Sequence, residues 1–211
     1  MKLSKRLSSI ASLVDTKRVI DVGCDHGYLD IYLTLYKDCM CIASDISDKA
    51  INNCLENIKM YNLLDKIEVM VTDGIKGISI NNDDTLVLSG MGTNTIKSIL
   101  SNQVLCNTII ISSNNNLDEL RYFMVDLGYK IINEVYVEEN NIHYVIIKFI
   151  KGKVEYSKLD YLLGPIVKYD KDYQKYIYKH YQDLLDKVPD KYDELRNSYK
   201  SIINYLDNLN Y

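Results

Sequence analysis

The sequence lacks several features that would each have decided its class. It has no run of about 18 apolar residues, so no transmembrane helix is predicted, and its basic amino terminus lacks the apolar segment of a signal peptide. Its five cysteines are odd in number and include no Cys-x-x-Cys pair, which argues against a disulfide framework or a zinc site. The three histidines are too scattered to predict a metal centre. We therefore expect a cytoplasmic protein with reduced thiols and with neither a membrane nor a metal partner.

Glycine is also infrequent, yet two of the nine glycines fall within residues 19–29, the most informative stretch. Apolar residues lead into a small-residue loop and then into a helical pattern, which predicts a strand, a tight turn and a helix. In an open α/β sheet this turn forms the ligand crevice, and Gly23 lets the backbone approach the ligand closely. Asp21 and Asp25 in the loop would repel a diphosphate. They suit a ligand with amine and sulfonium groups, which points to S-adenosylmethionine.

Two further acids close the next two predicted strands. Asp45 follows the strand at 39–44, where an acid meets the ribose hydroxyls of a bound nucleoside; it would serve NAD equally well. Asp73 follows the strand at 67–72, where its carboxylate could accept from an adenine amino group. We therefore predict a cofactor site formed by Asp21, Gly23, Cys24, Asp25, His26, Gly27, Tyr28, Leu29, Asp45, Ile46, Asp73, Gly74 and Gly90.

Predicted strands and helices alternate through a first domain at residues 1–153. The alternation implies an α/β fold with a mainly parallel sheet and helices on both faces. Two β-rich segments, 130–138 and 142–150, then follow without a helix between them and predict an antiparallel hairpin. Such a terminal hairpin is typical of Rossmann-like class I methyltransferases, and a dehydrogenase domain would lack it.

Residues 154–211 are predicted to form a second, helical domain. Apolar residues from Tyr192 to Leu209 step by 3, 4, 3, 4 and 3, which is the seam spacing of a coiled coil. Pro189 separates two helices that should pack as an antiparallel coiled-coil hairpin.

Basic residues in two segments are candidates for nucleic-acid contact. Lysines at near-constant helical spacing are expected to share one face of the first C-terminal helix, either as a solvated face or along a phosphate backbone. The net charge of −4 argues against indiscriminate nucleic-acid binding, so such contact would be local. The predicted RNA-binding residues are Lys2, Lys5 and Arg6 near the amino terminus and Lys168, Lys171, Lys175 and Lys179 in the C-terminal domain.

Four motifs resemble the bacterial tRNA (adenine-22-N1)-methyltransferases. They are Leu3-Ser4-Lys5-Arg6-Leu7, Asp21-Val22-Gly23-Cys24-Asp25-His26-Gly27-Tyr28-Leu29, Asp73-Gly74 and Ser89-Gly90-Met91-Gly92. The resemblance spans nearly the whole chain, including the C-terminal helical hairpin. It implies S-adenosylmethionine as cofactor, tRNA as partner and N1 of adenine 22 as the methylated atom, and we expect a monomer.

The implied reaction needs placement more than proton transfer. N1 of adenine is unprotonated at neutral pH and carries an in-plane lone pair, so it can attack a methyl group without a general base. The enzyme must expose an unpaired base and align it with the methyl donor. The residues expected around the reacting centre are Asp25, His26, Ser89, Gly90, Met91 and Asn114. Packing beneath the pocket is an equally good interpretation of Met91.

Three other functions remain compatible with these patterns. A methyltransferase acting on a small molecule or a protein would share the acidic loop. An NAD-linked oxidoreductase is disfavoured by that loop and by the terminal hairpin. A noncatalytic RNA-binding protein with a relic pocket would lack methyl transfer.

Overall fold

The computed structural model describes residues 1–101 and 106–209, and seven strands of this part of the chain form one sheet. The strands are β1 (Arg18–Val22), β2 (Met40–Asp45), β3 (Ile67–Val71), β4 (Thr85–Met91), β5 (Thr108–Ser113), β6 (Tyr129–Glu139) and β7 (Ile142–Lys151). Their spatial order is β3-β2-β1-β4-β5-β7-β6, with β1 to β5 parallel and β7 antiparallel to both of its neighbours. The predicted parallel sheet with a terminal hairpin is confirmed.

Eight α-helices occur within the same described ranges. They are α1 (Lys5–Leu13), α2 (Tyr28–Lys37), α3 (Asp48–Met60), α4 (Thr93–Leu100), α5 (Leu117–Asp126), α6 (Lys158–Leu163), α7 (Lys171–Lys187) and α8 (Asp193–Leu209). The strands predicted at 39–44, 67–72, 130–138 and 142–150 agree with the observed strands to within one residue at each end. No helix in the described part of the chain is long and apolar enough to cross a membrane.

The core lies on both faces of the sheet because successive side chains of a strand point to opposite sides. In β1, Val19 packs with the cluster under α1, α2 and α3, whereas Ile20 packs with the cluster under α4 and α5. All six residues of β5 are buried, as expected for a central strand covered by helices on both faces.

A buried ion pair joins the sheet to the C-terminal segment. Arg121 of α5 donates from Nε to Oε1 of Glu134 in β6 at 2.9 Å, and both side chains are at most 1% exposed. Arg121 also donates to the carbonyl of Tyr161, and the second Glu134 oxygen accepts from the amides of Ile166 and Val167. The Arg121–Glu134 pair therefore forms hydrogen bonds with the backbone of α6 and with the backbone at residues 166 and 167 that follows it.

Gly164 makes this close approach possible. Its φ is +89°, and a Cβ there would lie 2.7 Å from Oε2 of Glu134 and 2.8 Å from Nη2 of Arg121. A larger residue would therefore meet both the strained backbone and the buried charges.

The division into domains at residues 153 and 154 stays a prediction.

The C-terminal helices pack together as predicted. Tyr181 of α7 and the residues Ile202, Ile203 and Leu206 of α8 form a buried cluster with Leu163 of α6. The Arg196 guanidinium closes the turn by donating to the carbonyls of Leu185 and Val188. At the start of α8, Tyr192 and Leu195 are exposed, so the predicted seam is not buried there.

The α6 helix and the short 3-10 helix Val167–Tyr169 were not predicted. They are too short for a periodic apolar pattern, although the capping box formed by Ser157 and Asp160 is a local signal for the start of α6.

The expectation that four lysines share one helix face is wrong for Lys168. The Asp170 side chain accepts from the amides of Asp172 and Tyr173 and so begins α7 after Lys168. Lys168 lies in the 3-10 helix, is 7% exposed, and donates from Nζ to Asp160 at 2.6 Å. We therefore remove Lys168 from the RNA-binding set.

Substitution of Arg121 by alanine is expected to destabilise the fold by about 3–5 kcal/mol, because it leaves Glu134 buried without its partner. The matched control is Lys97→Ala, which removes the partly exposed ion-pair partner of Glu119. Glu119 lies in α5, as Arg121 does, and the loss of this exposed pair should cost about 0–1 kcal/mol. Urea unfolding of both variants measures the two free energies. Equal losses would contradict the assigned role of the buried pair.

Candidate active site

A cavity of about 620 Å³ opens at the carboxyl ends of β1, β2 and β4. It collects most of the residues predicted from the sequence around both the cofactor and the reacting centre. These are Asp21, Gly23, Cys24, Asp25, His26, Tyr28, Leu29, Asp45, Ile46, Ser89, Gly90 and Met91. Their individual roles stay predictions, but the structure places them around one space.

The bend after β1 is held against β2. The amides of Gly23 and Cys24 both donate to the carbonyl of Ser44, at 2.8 and 3.0 Å. Gly23 has a φ of +83°, and a Cβ there would lie 3.1 Å from Cε of Met91 and 3.5 Å from the carbonyl oxygen of Ser89. Glycine is therefore required both by the backbone conformation and by the close approach of the loop after β4.

Asp45 connects the two loops that border the cavity. One carboxylate oxygen accepts from the amide of Ser47 at 2.9 Å, at the beginning of α3, and the other accepts from the amide of Asp25 at 3.4 Å. Beside it, Nε2 of His26 lies 3.7 Å from Oδ1 of Asp25, and the His26 ring stacks on Tyr28. The carboxylate of Asp45 is thus fixed in position by backbone donors.

Two carboxyl groups are buried at the base of the cavity. Asp21 is 4% exposed, and Asp30 of α2 is fully buried. Neither Asp30 oxygen has a hydrogen-bond partner among the described residues. Sequence reasoning missed Asp30. The available signal was an acid between Leu29 and Ile31 in an otherwise apolar helix turn.

Burial is the main cause that raises the pKa of Asp21, from 3.8 to about 7. The neighbouring Asp30 side chain and the Arg6 guanidinium lower this pKa, whereas Asp45 raises it. Burial and the nearby Asp21 carboxylate raise the pKa of Asp30 well above its usual value. Burial therefore favours the neutral form of both carboxyl groups.

Cys24 lies in the same loop, but its thiol is neutral. A hydrogen bond with Cys54 and burial raise the pKa of Cys24 far above its usual range. Both cysteines are free and buried. Cys24 therefore contributes packing to the cavity wall and no thiolate.

Arg6 lines this cavity, although its position in the sequence predicted a surface patch with Lys2 and Lys5. Its Nη1 donates to Oγ of Ser89 at 2.5 Å, and its guanidinium carbon lies 5.4 Å from the centre of the Tyr144 ring. The sequence carried no signal for this placement, because it depends on α1 packing against β6 and β7.

Four predicted residues lie outside the cavity lining. Gly27 packs against α3, where a Cβ would lie 2.5 Å from Sγ of Cys54, and Gly74 packs against Ile99. The exposed Asp73 carboxylate pairs with Lys76 at 2.5 Å. Asn114 donates from its side-chain amide to the Gly90 carbonyl at 3.1 Å, so it supports the loop after β4 from behind.

The basic residues of the two chain ends meet in a second space, which we call the α1–α7 groove. It has a volume of about 950 Å³ and is bordered by Lys5 of α1 and by Lys175 and Lys179 of α7. The stacked rings of His143 and Tyr176, 3.9 Å apart at their centres, form part of its wall. Lys2 and Lys171 are exposed outside the groove lining.

No group of three or more potential metal ligands occurs within residues 1–101 and 106–209. The polar groups that border the cavity include carboxylates and backbone groups, arranged around a space of ligand size. This arrangement suits an organic cation, because three acids, Asp21, Asp25 and Asp45, border it.

Known proteins resemble the chain over most of its length. A family model described as a methyltransferase domain matches residues 3–147. A putative tRNA methyltransferase of Mycoplasma genitalium is 34% identical over 192 residues, which are 87% of this chain and 86% of that protein.

Two solved structures are similar as well. The structure of M. capricolum TrmK in complex with S-adenosyl-homocysteine is 28% identical, covers 98% of this chain and 99% of that chain, and has a TM-score of 0.86. A putative tRNA (m1A22) methyltransferase of Streptococcus pneumoniae, in complex with S-adenosyl-L-methionine, is 25% identical, covers 99% of each chain and has a TM-score of 0.87.

Replacing Asp30 by asparagine is expected to change the pH dependence of stability. In the native protein Asp21 and Asp30 have raised pKa values, so the native state binds more protons than the unfolded state and loses stability as pH rises from about 4 to about 7. Asparagine keeps a donor for Asp21 and removes one buried charge. We expect the melting temperature of Asp30→Asn to exceed that of the wild type by about 2 °C or more at pH 8, with a smaller difference at pH 5.

The control is Asp38→Asn, which makes the same chemical change at an exposed carboxylate whose pKa is lowered by Lys66. This variant should gain nothing at pH 8. Circular-dichroism melting of the cofactor-free proteins gives the comparison. Equal melting temperatures for the wild type and Asp30→Asn at pH 8 would contradict the claim that the two buried carboxyl groups destabilise the protein at that pH.

Proposed function

This chain belongs to the bacterial tRNA methyltransferase family, and from that premise we propose that it transfers a methyl group from S-adenosylmethionine to N1 of adenine 22 in tRNA. The family resemblance inferred from four sequence motifs is confirmed by the relatives described above. The observation that carries the proposal is the cavity in which the acidic loop after β1 meets the loop after β4.

The residues around the cavity fit S-adenosylmethionine. The cavity volume lies within the range of small-molecule sites, about 300–1,000 Å³. Burial raises the pKa of Asp21, so a positive charge beside it would stabilise its ionised form. Asp45 presents a carboxylate whose oxygens accept hydrogen bonds from two backbone amides. Ile46 is 71% exposed at the rim, where it offers an apolar contact to a purine. When bound, S-adenosylmethionine supplies an electrophilic methyl group.

Ser89, Gly90 and Met91 border the side of the cavity that we assign to the target base. Ser89 and Gly90 are small, so they leave room for an adenine taken out of its stack. Asn114 holds the carbonyl of Gly90 and thereby the shape of this loop. Proton removal from N1 is unnecessary, so these residues act by orienting the base and excluding water.

We assign tRNA docking to the α1–α7 groove and its rim. Lys5 and Arg6 are neighbours in α1, yet Lys5 borders the groove and Arg6 borders the cavity. A phosphate backbone lying along Lys5, Lys175 and Lys179 would therefore contact the same helix that borders the cavity. Lys2 and Lys171 add exposed lysines beyond the groove, whose lining also includes the acids Glu138, Asp170 and Asp172.

We propose that the protein acts as a monomer, which stays a prediction. We also propose a cytoplasmic location, because the proposed substrate is tRNA.

Incubation of the protein with unmodified tRNA and labelled S-adenosylmethionine tests the proposed function. We expect one methyl group per tRNA, located by mass spectrometry as 1-methyladenosine at position 22, the position for which the pneumococcal relative is named. A tRNA with guanine at that position is the control and should accept no methyl group. Transfer to proteins or small molecules with no label in tRNA would overturn the proposal.

The double variant Lys175→Gln, Lys179→Gln is expected to weaken tRNA binding. It should also reduce the salt dependence of log K by about one for each phosphate that no longer pairs with a lysine. The control double variant, Lys17→Gln with Lys59→Gln, makes the same charge change at exposed residues outside the groove lining. Filter binding across a salt series measures the affinities, and S-adenosylmethionine affinity should stay unchanged in both. Equal salt slopes for the two double variants would remove the groove from the docking model.

A further inference from the structure

The wall of the α1–α7 groove carries three aromatic rings that are nearly parallel. Tyr136 of β6, His143 of β7 and Tyr176 of α7 all line the groove. The angle between ring planes is 8° for Tyr136 with His143, and it is 21° for Tyr176 with either of them. These rings have no part in the cavity or in the lysine contacts described above.

Two of the rings form one continuous surface. The Tyr136 hydroxyl and Nδ1 of His143 are hydrogen-bonded at 2.6 Å, and the two ring centres are 6.0 Å apart. A hydrogen bond of this length between nearly parallel rings joins them through their edges, so the rings lie side by side. We call this surface the Tyr136–His143 plane. It offers more stacking area than either ring alone.

The Tyr136–His143 plane is supported on one side and open to the groove. The Tyr176 ring stacks on His143, with ring centres 3.9 Å apart. No third ring contacts His143 within residues 1–101 and 106–209, and the His143 side chain is exposed. The buried ring between α7 and the hairpin is a different one, Tyr173, which is 3% exposed and meets Tyr136 at 59°. The exposed imidazole is therefore held in a fixed orientation by one edge and one face.

The charges around the rings leave a small excess of free lysine. Of the three acids in the groove lining, Asp170 accepts from two backbone amides at the start of α7, and Asp172 lies 3.5 Å from Lys175. Lys5 and Lys179 have no ion-pair partner in the described part of the chain. The electrostatic attraction of the groove for RNA is therefore modest. Stacking on the rings adds attraction that does not depend on charge.

These features together suit an unpaired nucleobase. A base inside a duplex presents only its edges, whereas an unpaired base presents ring faces that stack on aromatic side chains. Grooves that combine such rings with basic residues bind single-stranded nucleic acid with little dependence on sequence. The phosphates on either side of the base carry the charge that the bordering lysines can meet.

We propose that the Tyr136–His143 plane, supported by Tyr176, is a stacking subsite for an unpaired base of the tRNA other than the methylated adenine. This inference rests on the proposed function and deepens it, because it adds a base contact to a docking surface otherwise assigned to phosphates. The subsite holds a loop of the tRNA against the groove while the target adenine enters the cavity.

The first test compares His143→Leu and His143→Phe with the control Tyr122→Leu. Leucine removes the ring, whereas phenylalanine keeps a ring face for stacking. Tyr122 is 47% exposed and stacks on Tyr161 at 3.6 Å outside the groove lining, so the control also removes one ring of a stacked pair. We expect His143→Leu to weaken tRNA binding about fivefold or more and His143→Phe to stay within about threefold of the wild type. Tyr122→Leu should bind tRNA as the wild type does.

Salt dependence separates stacking from charge in the same variants. In filter binding at pH 8, His143→Leu should lower the affinity by the same factor at every salt concentration, because a lost phosphate contact would instead reduce the slope of log K. The dissociation constant for S-adenosylmethionine should stay within about twofold, which verifies that the variants are folded. Wild-type affinity in His143→Leu, a reduced salt slope, or an equal loss in His143→Phe would each overturn the proposal.

The second test removes bases from the tRNA one at a time. Semisynthetic tRNAs carry a single abasic nucleotide at each unpaired position in turn. We expect one abasic position, distinct from the methylated adenosine, to weaken binding to the wild type about fivefold or more and to have almost no further effect on His143→Leu. Independent, multiplying effects at every position would contradict a direct contact between a base and the Tyr136–His143 plane.

These outcomes separate the subsite from the proposed function. If the wild type methylates tRNA but His143→Leu binds tRNA equally well, the subsite is wrong and the methyltransferase assignment stands. If the wild type binds tRNA through His143 but transfers no methyl group, the methyltransferase assignment fails and the stacking subsite stands. If the wild type binds no tRNA, both fail.

Discussion

The burial of the Asp21 carboxyl group against Asp30 is the constraint on which the active site depends. In the folded chain, the pKa of Asp21 rises to about 7, chiefly because burial disfavours its charged form. A positive charge placed beside it lowers this pKa again, and the attraction between the two opposite charges is stronger in the low dielectric around the carboxylate. A diphosphate would add like charge to a region that already holds Asp25 and Asp45. The electrostatics of the cavity thus favour a cationic methyl donor over a dinucleotide.

Helix α1 joins this cavity to the proposed tRNA surface. Its residues border both spaces, and it packs against β6 and β7, the hairpin that closes the sheet. The C-terminal helices reach the same hairpin through the buried pair of Arg121 and Glu134, which binds the backbone before α7. The opposite walls of the α1–α7 groove are therefore attached to one rigid sheet. Such attachment keeps a docked nucleic acid in register with the cavity.

Apart from α6 and the short 3-10 helix, local sequence was sufficient for the elements and for the centre of the site. The bend at Gly23 combines a strand, a glycine at positive φ and a following helix, and each of these has a short-range signal. Parallel strands end at the same edge of a sheet, so Asp21 and Asp45 could be placed together from the sequence alone. The C-terminal helices followed from apolar periodicity over seventeen residues in α8.

Long-range packing decided what sequence reasoning missed. Arg6 enters the cavity because α1 folds back over the sheet, a contact between residues far apart in the chain. Lys168 leaves the helical stripe because Asp170 caps α7, and Asp160, eight residues earlier, takes its charge. Asp30 was missed because its significance lies in its neighbour Asp21. In each case the position or the charge state of the residue depends on a second residue that is not adjacent to it in the sequence.

A crystal structure of the protein with S-adenosylmethionine tests the central claim most directly. The account predicts that the ligand occupies the cavity beside Gly23, with its ribose hydroxyls within hydrogen-bond distance of Asp45 and its amino acid end on the side of Asp21. A ligand bound elsewhere, or a cavity that stays empty at saturating ligand, would contradict it.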